Sequence, residues 1–307
     1  MISAAILICS LAFAETKTLA VQICLDQAGF SCNAIDGQWG PKSQRALEAY
    51  CMSRRLPTPP TPESAYDRLF AGATNMFTLA TVTQADADAL VKMPTSPAAR
   101  SRLARMGYEN MLEMFAERGH MSRRAMERMN PGVDWDRAAP GLRLVLPNFP
   151  SMDEELSVWP KDRRGAPSRP EAALVRVSLS RFEVSAYDAA GKMLALFPCS
   201  IARNKAKLPK AGTLRITETI AWPNYTYTPD DQSPAGRQRR YILPPGPRCP
   251  VGVAWLGLNL PGYGIHGTPR PESVGNAESH GCFRLSNWNA ARLYGMCKSG
   301  TRVVVEK

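Results

Sequence analysis

Two histidines and a cysteine near the C-terminal end of this 307-residue sequence are of the residue types that acyl-transfer chemistry needs. One glycine separates His280 from Cys282, and His266 lies fourteen positions before His280. A cysteine attacks as its thiolate, so it needs a base such as imidazole beside it. Gly281 lets the backbone N–H groups of Gly281 and Cys282 approach the reacting centre, where they would hold an oxyanion. The segment therefore predicts a cysteine nucleophile that forms an acyl-enzyme.

Two other interpretations use the same residues. His266, His280 and Cys282 have the types of zinc ligands, but no H-E-x-x-H motif supplies an independent general base. The sequence therefore predicts neither a metal nor a cofactor. In the second alternative Cys282 is a buried structural side chain and the histidines are ordinary loop residues.

Two segments carry a resemblance to a known family. Gly264–Thr268 reads G-I-H-G-T and Ser279–Leu285 reads S-H-G-C-F-R-L, which resembles the signature of the L,D-transpeptidases with a YkuD-type catalytic domain. The resemblance extends from about Ala173 to Lys307. It implies that Cys282 is the nucleophile and that His266 is the base, with its ring oriented by a carbonyl such as that of Gly267. The other residues that it implies are His280, Gly267 and Gly281 in the catalytic set and Arg284, Ser279 and Thr268 in substrate binding.

Three positions depart from the pattern that members of this family often show. Cys249 stands where Asn is common, Phe283 where Ile is common, and Asn289 where Asp is common. None of these changes removes a group from the implied chemistry. We therefore expect the reaction class to be kept, while the pocket shape and the helix capping differ.

The resemblance also implies a substrate and a biological setting. A peptidoglycan stem tetrapeptide would acylate Cys282 with loss of D-Ala, and an amine of a second stem would then take the acyl group to form a 3-3 cross-link or a related amide. Such a reaction belongs to peptidoglycan biosynthesis, cell-wall organisation and cell shape. Water as the acceptor would give an L,D-carboxypeptidase, and a further alternative is a catalytically inactive peptidoglycan-binding protein. The sequence does not choose the acceptor, the third stem residue or the oligomeric state.

The net charge and the apolar runs of the sequence limit which partners and which cellular compartment we expect. The net charge is +11, but the basic residues are dispersed and no nucleic-acid motif accompanies them, so we predict no nucleic-acid partner. A basic chain of this kind suits an anionic wall or membrane surface. Ile2–Ala14 carries no charge and ends in A-F-A, which predicts a signal peptide over residues 1–14 and a mature chain in the periplasm or cell wall. This run is too short to span a bilayer, which needs about 20 residues, and no other long apolar run follows.

Prolines and the period of the apolar residues divide the chain into segments. The predicted fold class is multidomain α+β, with small helical N-terminal modules followed by a mostly β, sandwich-like catalytic domain. The Asp36-Gly37 turn resembles that of peptidoglycan-binding type 1 modules, and two short helices before a strand resemble a LysM unit whose first strand is not evident. The predicted boundaries are 15–56 for the peptidoglycan-binding-like module, 57–102 for a proline-rich linker and helical segment, 103–148 for the LysM-like unit, 149–172 for a second linker and 173–307 for the catalytic domain.

The remaining expectations concern a disulfide, the location of His120 and the folding of the catalytic part. In an oxidising compartment, Cys32 and Cys51 would sit at two helix ends of one compact unit, so we predict a disulfide between them and a free Cys282. His120 is expected in a loop or at the surface. A fragment that begins near Ala173 is expected to fold on its own.

Overall fold

The computed structural model describes residues 16–157, 170–229, 240–279 and 281–307. The predicted signal peptide, half of the second linker (158–169) and His280 lie outside these ranges. No helix within them is long and apolar enough to cross a bilayer.

The helices are α1 (Lys17–Gln27), α2 (Pro41–Arg54), α3 (Pro62–Ala65), α4 (Gln84–Asp88), α5 (Pro97–Arg100), α6 (Met111–Arg118), α7 (Arg123–Met129), α8 (Met152–Ser157) and α9 (Asn287–Tyr294). The strands are β1 (Phe77–Thr81), β2 (Arg143–Pro147), β3 (Leu174–Ser178), β4 (Glu183–Tyr187), β5 (Met193–Pro198), β6 (Ile201–Ala202), β7 (Gly212–Ala221), β8 (Tyr225–Tyr227), β9 (Tyr241–Leu243), β10 (Ala254–Leu258), β11 (Gly264–His266), β12 (Ala277–Ser279), β13 (Phe283–Arg284) and β14 (Arg302–Glu306).

Helix α1 is the centre of the N-terminal helical region. Thr16 caps it, because the Thr16 hydroxyl accepts a hydrogen bond from the Leu19 N–H. One side of α1 packs with α2 through a cluster that includes Val21 and Leu47. Its other side joins a separate cluster with the methionines of α6 and α7. A helix that is apolar on both sides in this way is buried between two layers, so α1 joins the two segments that the proline-rich stretch was expected to separate.

The predicted LysM-like unit gains its missing strand from outside the predicted boundary. Strand β1 pairs antiparallel with β2, from Phe77 opposite Pro147 to Thr81 opposite Arg143. Helices α6 and α7 lie between these strands in the sequence, and Ser122 caps α7. The short apolar alternation of β1 is weak, since its residues are only half-buried or exposed. Strand β1 is therefore defined by its pairing with β2, which lies more than sixty residues away in the sequence.

The catalytic part is built on one sheet with strand order β13-β11-β10-β7-β14-β3-β4-β5. Strand β7 divides the sheet: residues 212–215 pair with β14 and residues 216–221 pair with β10. Residues of both halves, among them Val177 and Ile265, contribute to one apolar core together with Leu293 of α9. The predicted fold class is confirmed, with helical N-terminal parts followed by a mostly β domain whose two half-sheets share a core.

The helical region docks on the catalytic domain through buried polar contacts. The Arg292 guanidinium of α9 donates to the Asp26 backbone carbonyl and, over 3.2 Å, to its carboxylate. The Asp26 carboxylate also lies 2.9 Å from Nδ1 of His120. His120 is 2% exposed and stacks between the rings of Phe149 and Trp288. His120 lies in the turn after α6, so the loop alternative is confirmed, but the surface alternative is wrong because this ring fills the contact between the two parts of the chain.

The predicted disulfide between Cys32 and Cys51 is also wrong. Both side chains are buried free thiols, as are the other described cysteines apart from the half-buried Cys282. Cys32 packs in the cluster of α6 and α7, whereas Cys51 packs in the cluster of α2. The ends of the two helices therefore face different cores, and each thiol serves as a small apolar side chain.

Candidate active site

Four neighbouring strands bring one row of side chains to the same face of the sheet. His266 of β11 is opposite Trp255 of β10 and beside Arg284 of β13, and Trp255 is in turn opposite Ile220 of β7. Partners in register point to the same face of a sheet. All four side chains line a cavity of about 610 Å³, and Cys282 lines it as well.

Cys282 is a half-buried thiol at the start of β13. Its Sγ donates a hydrogen bond to the Gly262 carbonyl over 3.4 Å. Burial raises the pKa of the Cys282 thiol, and the Gly264 backbone and the Arg284 charge offset only part of that effect. The thiol is therefore protonated at neutral pH, and it needs a base to become a nucleophile.

His266 is the one described histidine that lines this cavity, and its ring is fixed on two sides. Its Nδ1 lies 2.6 Å from the Gly267 carbonyl oxygen, which is the contact that the resemblance implied. The ring is 4% exposed and stacks on Trp255, with centroids 5.6 Å apart. Burial lowers the pKa of His266 to about 4, the Gly267 carbonyl opposes that shift and Arg284 adds to it. The imidazole is thus neutral at pH 7 with its proton on Nδ1, which leaves the Nε2 lone pair to take a proton.

The structure places only some of the other expected site residues in the cavity lining. Gly281 and Arg284 line the cavity. Thr268 is buried outside the cavity lining, and its hydroxyl accepts a hydrogen bond from the Arg270 N–H over 3.3 Å. Ser279 lies on β12, which runs parallel to β6, and His280 falls outside the described residues. Across the described ranges, no three or more His, Cys, Asp or Glu side chains are grouped closely enough to hold a metal ion.

Sequence reasoning missed the far end of the cavity. The Trp255 indole N–H donates to the Glu218 carboxylate over 3.1 Å, and both side chains line the cavity. A Cβ atom on Gly264 would lie 2.6 Å from the Trp255 ring, so this glycine provides the space in which the indole lies. The available signal was the alternation of Glu218 and Ile220 on β7, which places both on one face.

Comparisons with known proteins identify the family of the catalytic part of the chain. Residues 172–305 match the family model described as the L,D-transpeptidase catalytic domain, YkuD. These residues belong to the YkuD family of L,D-transpeptidase catalytic domains. The chain is 26% identical over 194 residues to a Bacillus licheniformis protein named as the L,D-transpeptidase YkuD, which covers 63% of this chain and 92% of that protein. It is 34% identical over 125 residues to a Fuscovulum blasticum protein also named as an L,D-transpeptidase, which covers 39% of this chain and 61% of that protein.

Solved structures of L,D-transpeptidases are similar to part of the chain. One from Mycobacterium smegmatis is 20% identical with a TM-score of 0.33, and the match covers 44% of this chain and 58% of that one. The catalytic domain of the Enterococcus faecium L,D-transpeptidase, solved as an adduct with ertapenem, is 23% identical with a TM-score of 0.34. That match covers 45% of this chain and 100% of the domain. The helical region before residue 172 lies outside the family match.

The buried state of His266 predicts how acylation of the L,D-transpeptidase domain depends on pH. Because its pKa is lowered to about 4, the imidazole stays neutral from alkaline pH down to that value. We expect the rate of adduct formation with a carbapenem to fall as the pH drops through about 4, where His266 becomes protonated. Intact-mass kinetics over a pH series, with circular dichroism to verify the fold, measure this midpoint. A midpoint near the ordinary histidine value of about 6.5 would contradict the buried, neutral base.

Proposed function

We propose that the chain is an exported cysteine L,D-transpeptidase that acts on peptidoglycan stem tetrapeptides. The observation that carries the proposal is the pairing of a protonated Cys282 thiol and a neutral His266 in one cavity of a YkuD-family domain. Of the two groups, the imidazole is the one able to accept a proton at neutral pH. The two groups together match the needs of nucleophilic acyl transfer.

The reaction follows from the roles of these two groups. Nε2 of His266 takes the Sγ proton as Cys282 attacks the carbonyl carbon of stem residue three. The C–S bond forms, the C–N bond to D-Ala breaks, and the imidazolium returns its proton to the leaving amine. The N–H groups of Gly281 and Cys282 hold the oxyanion of the tetrahedral intermediate. The thioester is then resolved by an amine of a second stem, which restores the thiol and forms a 3-3 cross-link or a related amide.

The size and lining of the cavity suit a peptide of this class. About 610 Å³ falls within the range of sites that bind small ligands. Arg284 at one end suits a stem carboxylate, because guanidinium groups bind carboxylates through paired hydrogen bonds. We assign substrate binding to Arg284 and Ser279, and a further catalytic contact to His280. Thr268 is assigned an indirect role, since it shapes the loop that follows His266.

The setting of the enzyme is part of the same proposal. We infer export through the uncharged segment of residues 1–14, followed by action in the periplasm or cell wall. The net charge of +11 favours attraction to anionic wall polymers. The helical region, with its Asp36-Gly37 turn and LysM-like unit, is proposed to bind peptidoglycan and so to hold the catalytic domain at its substrate.

Product analysis tests the proposal and its alternatives together. The mature chain is incubated with disaccharide-tetrapeptides, and the products are identified by mass spectrometry. We expect release of D-Ala and cross-linked dimers whose new bond starts from stem residue three. Tripeptides without dimers would instead show that water is the acceptor and that the enzyme is an L,D-carboxypeptidase. Unchanged tetrapeptides together with binding to sacculi would show an inactive peptidoglycan-binding protein and overturn the proposed chemistry.

A further inference from the structure

Glu117 is a buried carboxyl group that joins the helical region to the catalytic domain. It lies on α6 and is 7% exposed. Its Oε1 accepts hydrogen bonds from the Tyr108 hydroxyl over 2.9 Å and from Nδ2 of Asn287 over 3.0 Å. Asn287 is the first residue of α9 and is fully buried. Burying this carboxyl group carries a desolvation cost that an apolar contact would avoid.

Asn287 holds three segments around the catalytic base. Its Nδ2 also donates to the Pro247 carbonyl over 2.9 Å, and its Oδ1 accepts from the Val253 N–H over 3.3 Å. The amide packs so tightly against Gly252 and Gly267 that a Cβ atom on either glycine would clash with Oδ1. A shift of the Asn287 amide would therefore be passed directly to the backbone of Gly267.

Gly267 is in turn the residue that orients the base. Its carbonyl oxygen lies 2.6 Å from Nδ1 of His266 and fixes both the ring and its tautomer. Contacts thus run without a gap from Glu117 through Asn287 and Gly267 to His266. We propose that Glu117 is a positioning residue for the catalytic base, which makes the docked helical region part of the support of the active site. This inference rests on the proposed function for the role of His266 alone.

The charge state of Glu117 offers a way to observe this coupling. Burial raises the pKa of Glu117 to about 7, although its hydrogen bonds from Asn287 and Tyr108 oppose the shift. Its ionisation strengthens the hydrogen bond from Asn287, because charged acceptors form the stronger bonds. The other titratable or charged groups around it are Glu113 and Arg118 on α6, Arg123 on α7, Tyr108, and Glu272 across a neighbouring cavity.

The Nδ1 proton resonance of His266 reports the position of the ring directly. In the full mature chain labelled with ¹⁵N, only three histidines contribute signals, and His266→Gln assigns the one in question. We expect this resonance to shift in a step centred near pH 7 as Glu117 ionises. Glu117→Gln keeps an acceptor for Asn287 but does not ionise, so the step should disappear while the resonance remains. A step that persists in Glu117→Gln, or no step in the wild-type chain, would overturn the coupling.

Acylation kinetics separate positioning from simple docking. We expect Glu117→Ala to lower the maximal rate of carbapenem acylation about tenfold, with little change in the concentration for half-maximal rate. Glu117→Gln should restore most of this rate. The matched control is Glu113→Ala, because Glu113 is equally buried on α6 but binds Arg248 rather than Asn287. It should leave the maximal rate close to wild type and keep the pH step of the His266 resonance, with a lower midpoint because the Glu113 charge contributes to the raised pKa of Glu117.

The outcomes distinguish this inference from the proposed function. Equal effects of Glu117→Ala and Glu113→Ala on rate and resonance would show that Glu117 only docks the helical region. If the wild-type chain forms no adduct, the proposed function fails, and the His266 resonance still decides whether Glu117 positions the ring. If Glu117→Ala does not fold, the pH step and its loss in Glu117→Gln decide the matter.

Discussion

Replacement of Cys282 by alanine is expected to abolish acyl-enzyme formation while leaving the fold intact. The thiol is half-buried at the cavity wall, its hydrogen bond to the Gly262 carbonyl is long at 3.4 Å, and alanine keeps the Cβ atom, so we expect the fold to persist. His266→Ala is expected to lower the acylation rate at least about a hundredfold, which is the lower range for removal of a general base. Both effects are measured by intact-mass kinetics with a carbapenem.

Another thiol provides the control for this result. Cys24 is buried in the helical region beside Met76, far from the cavity lining, so Cys24→Ala should form the adduct at the wild-type rate. An adduct on the Cys282→Ala chain would place the nucleophile elsewhere. A wild-type rate in His266→Ala would leave Cys282 as the nucleophile but remove His266 as its base.

Loss of the Arg292 guanidinium is expected to be the largest stability defect among single substitutions at the domain contact. Asp26 is fully buried; burial opposes its ionisation, but His120 and Arg292 outweigh that effect and lower its pKa. Removing one partner of a buried ion pair leaves an uncompensated charge and costs about 3–5 kcal/mol. We therefore expect Arg292→Ala to lower the thermal midpoint by roughly 10 °C.

Two controls test this prediction: the pH dependence of the stability difference, and the substitution of a surface arginine. Because the pKa of Asp26 is lowered in the folded chain, the pair stabilises the fold above the ordinary aspartate pKa, and this contribution is lost as the pH falls through the lowered value. The difference between Arg292→Ala and wild type should therefore be largest at neutral pH. Arg302 is exposed on β14, so Arg302→Ala should change the free energy of unfolding by no more than about 0.5 kcal/mol. Equal midpoints for the two variants would contradict a stabilising buried pair.

The same contact changes what is expected of the isolated catalytic domain. The sequence predicts a fragment from Ala173 that folds on its own. In the structure, Arg292 and Asn289 of α9 are buried and hydrogen-bonded to Asp26 and Ser31 of the helical region. Removing that region leaves these polar groups without their partners. We therefore expect the fragment to melt below the full mature chain in differential scanning calorimetry, and an unchanged midpoint would show that the contact adds no stability.

Local patterns in the sequence were sufficient to predict the family and much of the fold. The order His266-Gly267 and Gly281-Cys282 carried the family resemblance, and the structure places His266 against the Gly267 carbonyl. Val184 and Ala186 alternate along β4, and the turn from Asp188 to Lys192 places Gly191 in the left-handed region, at φ 78°. These features depend on neighbours within a few residues of one another.

Long-range contacts account for what the sequence did not reveal. Asp26, His120 and Arg292 each look like surface residues within their own segments, because polar side chains usually face water. Their burial depends on partners up to 266 positions away, which no local pattern encodes. Strand β1 was missed for the same reason, and the disulfide prediction failed because Cys32 and Cys51 face different cores.

Trapping the acyl-enzyme with its own substrate tests the central claim most directly. The mature chain is mixed with a disaccharide-tetrapeptide, quenched in acid after a short interval, digested and mapped by mass spectrometry. The account predicts a disaccharide-tripeptide in thioester linkage on the peptide that contains Cys282, together with one free D-Ala for each acyl group. Turnover of the tetrapeptide with an unmodified Cys282, or with the acyl group on another residue, would contradict the account.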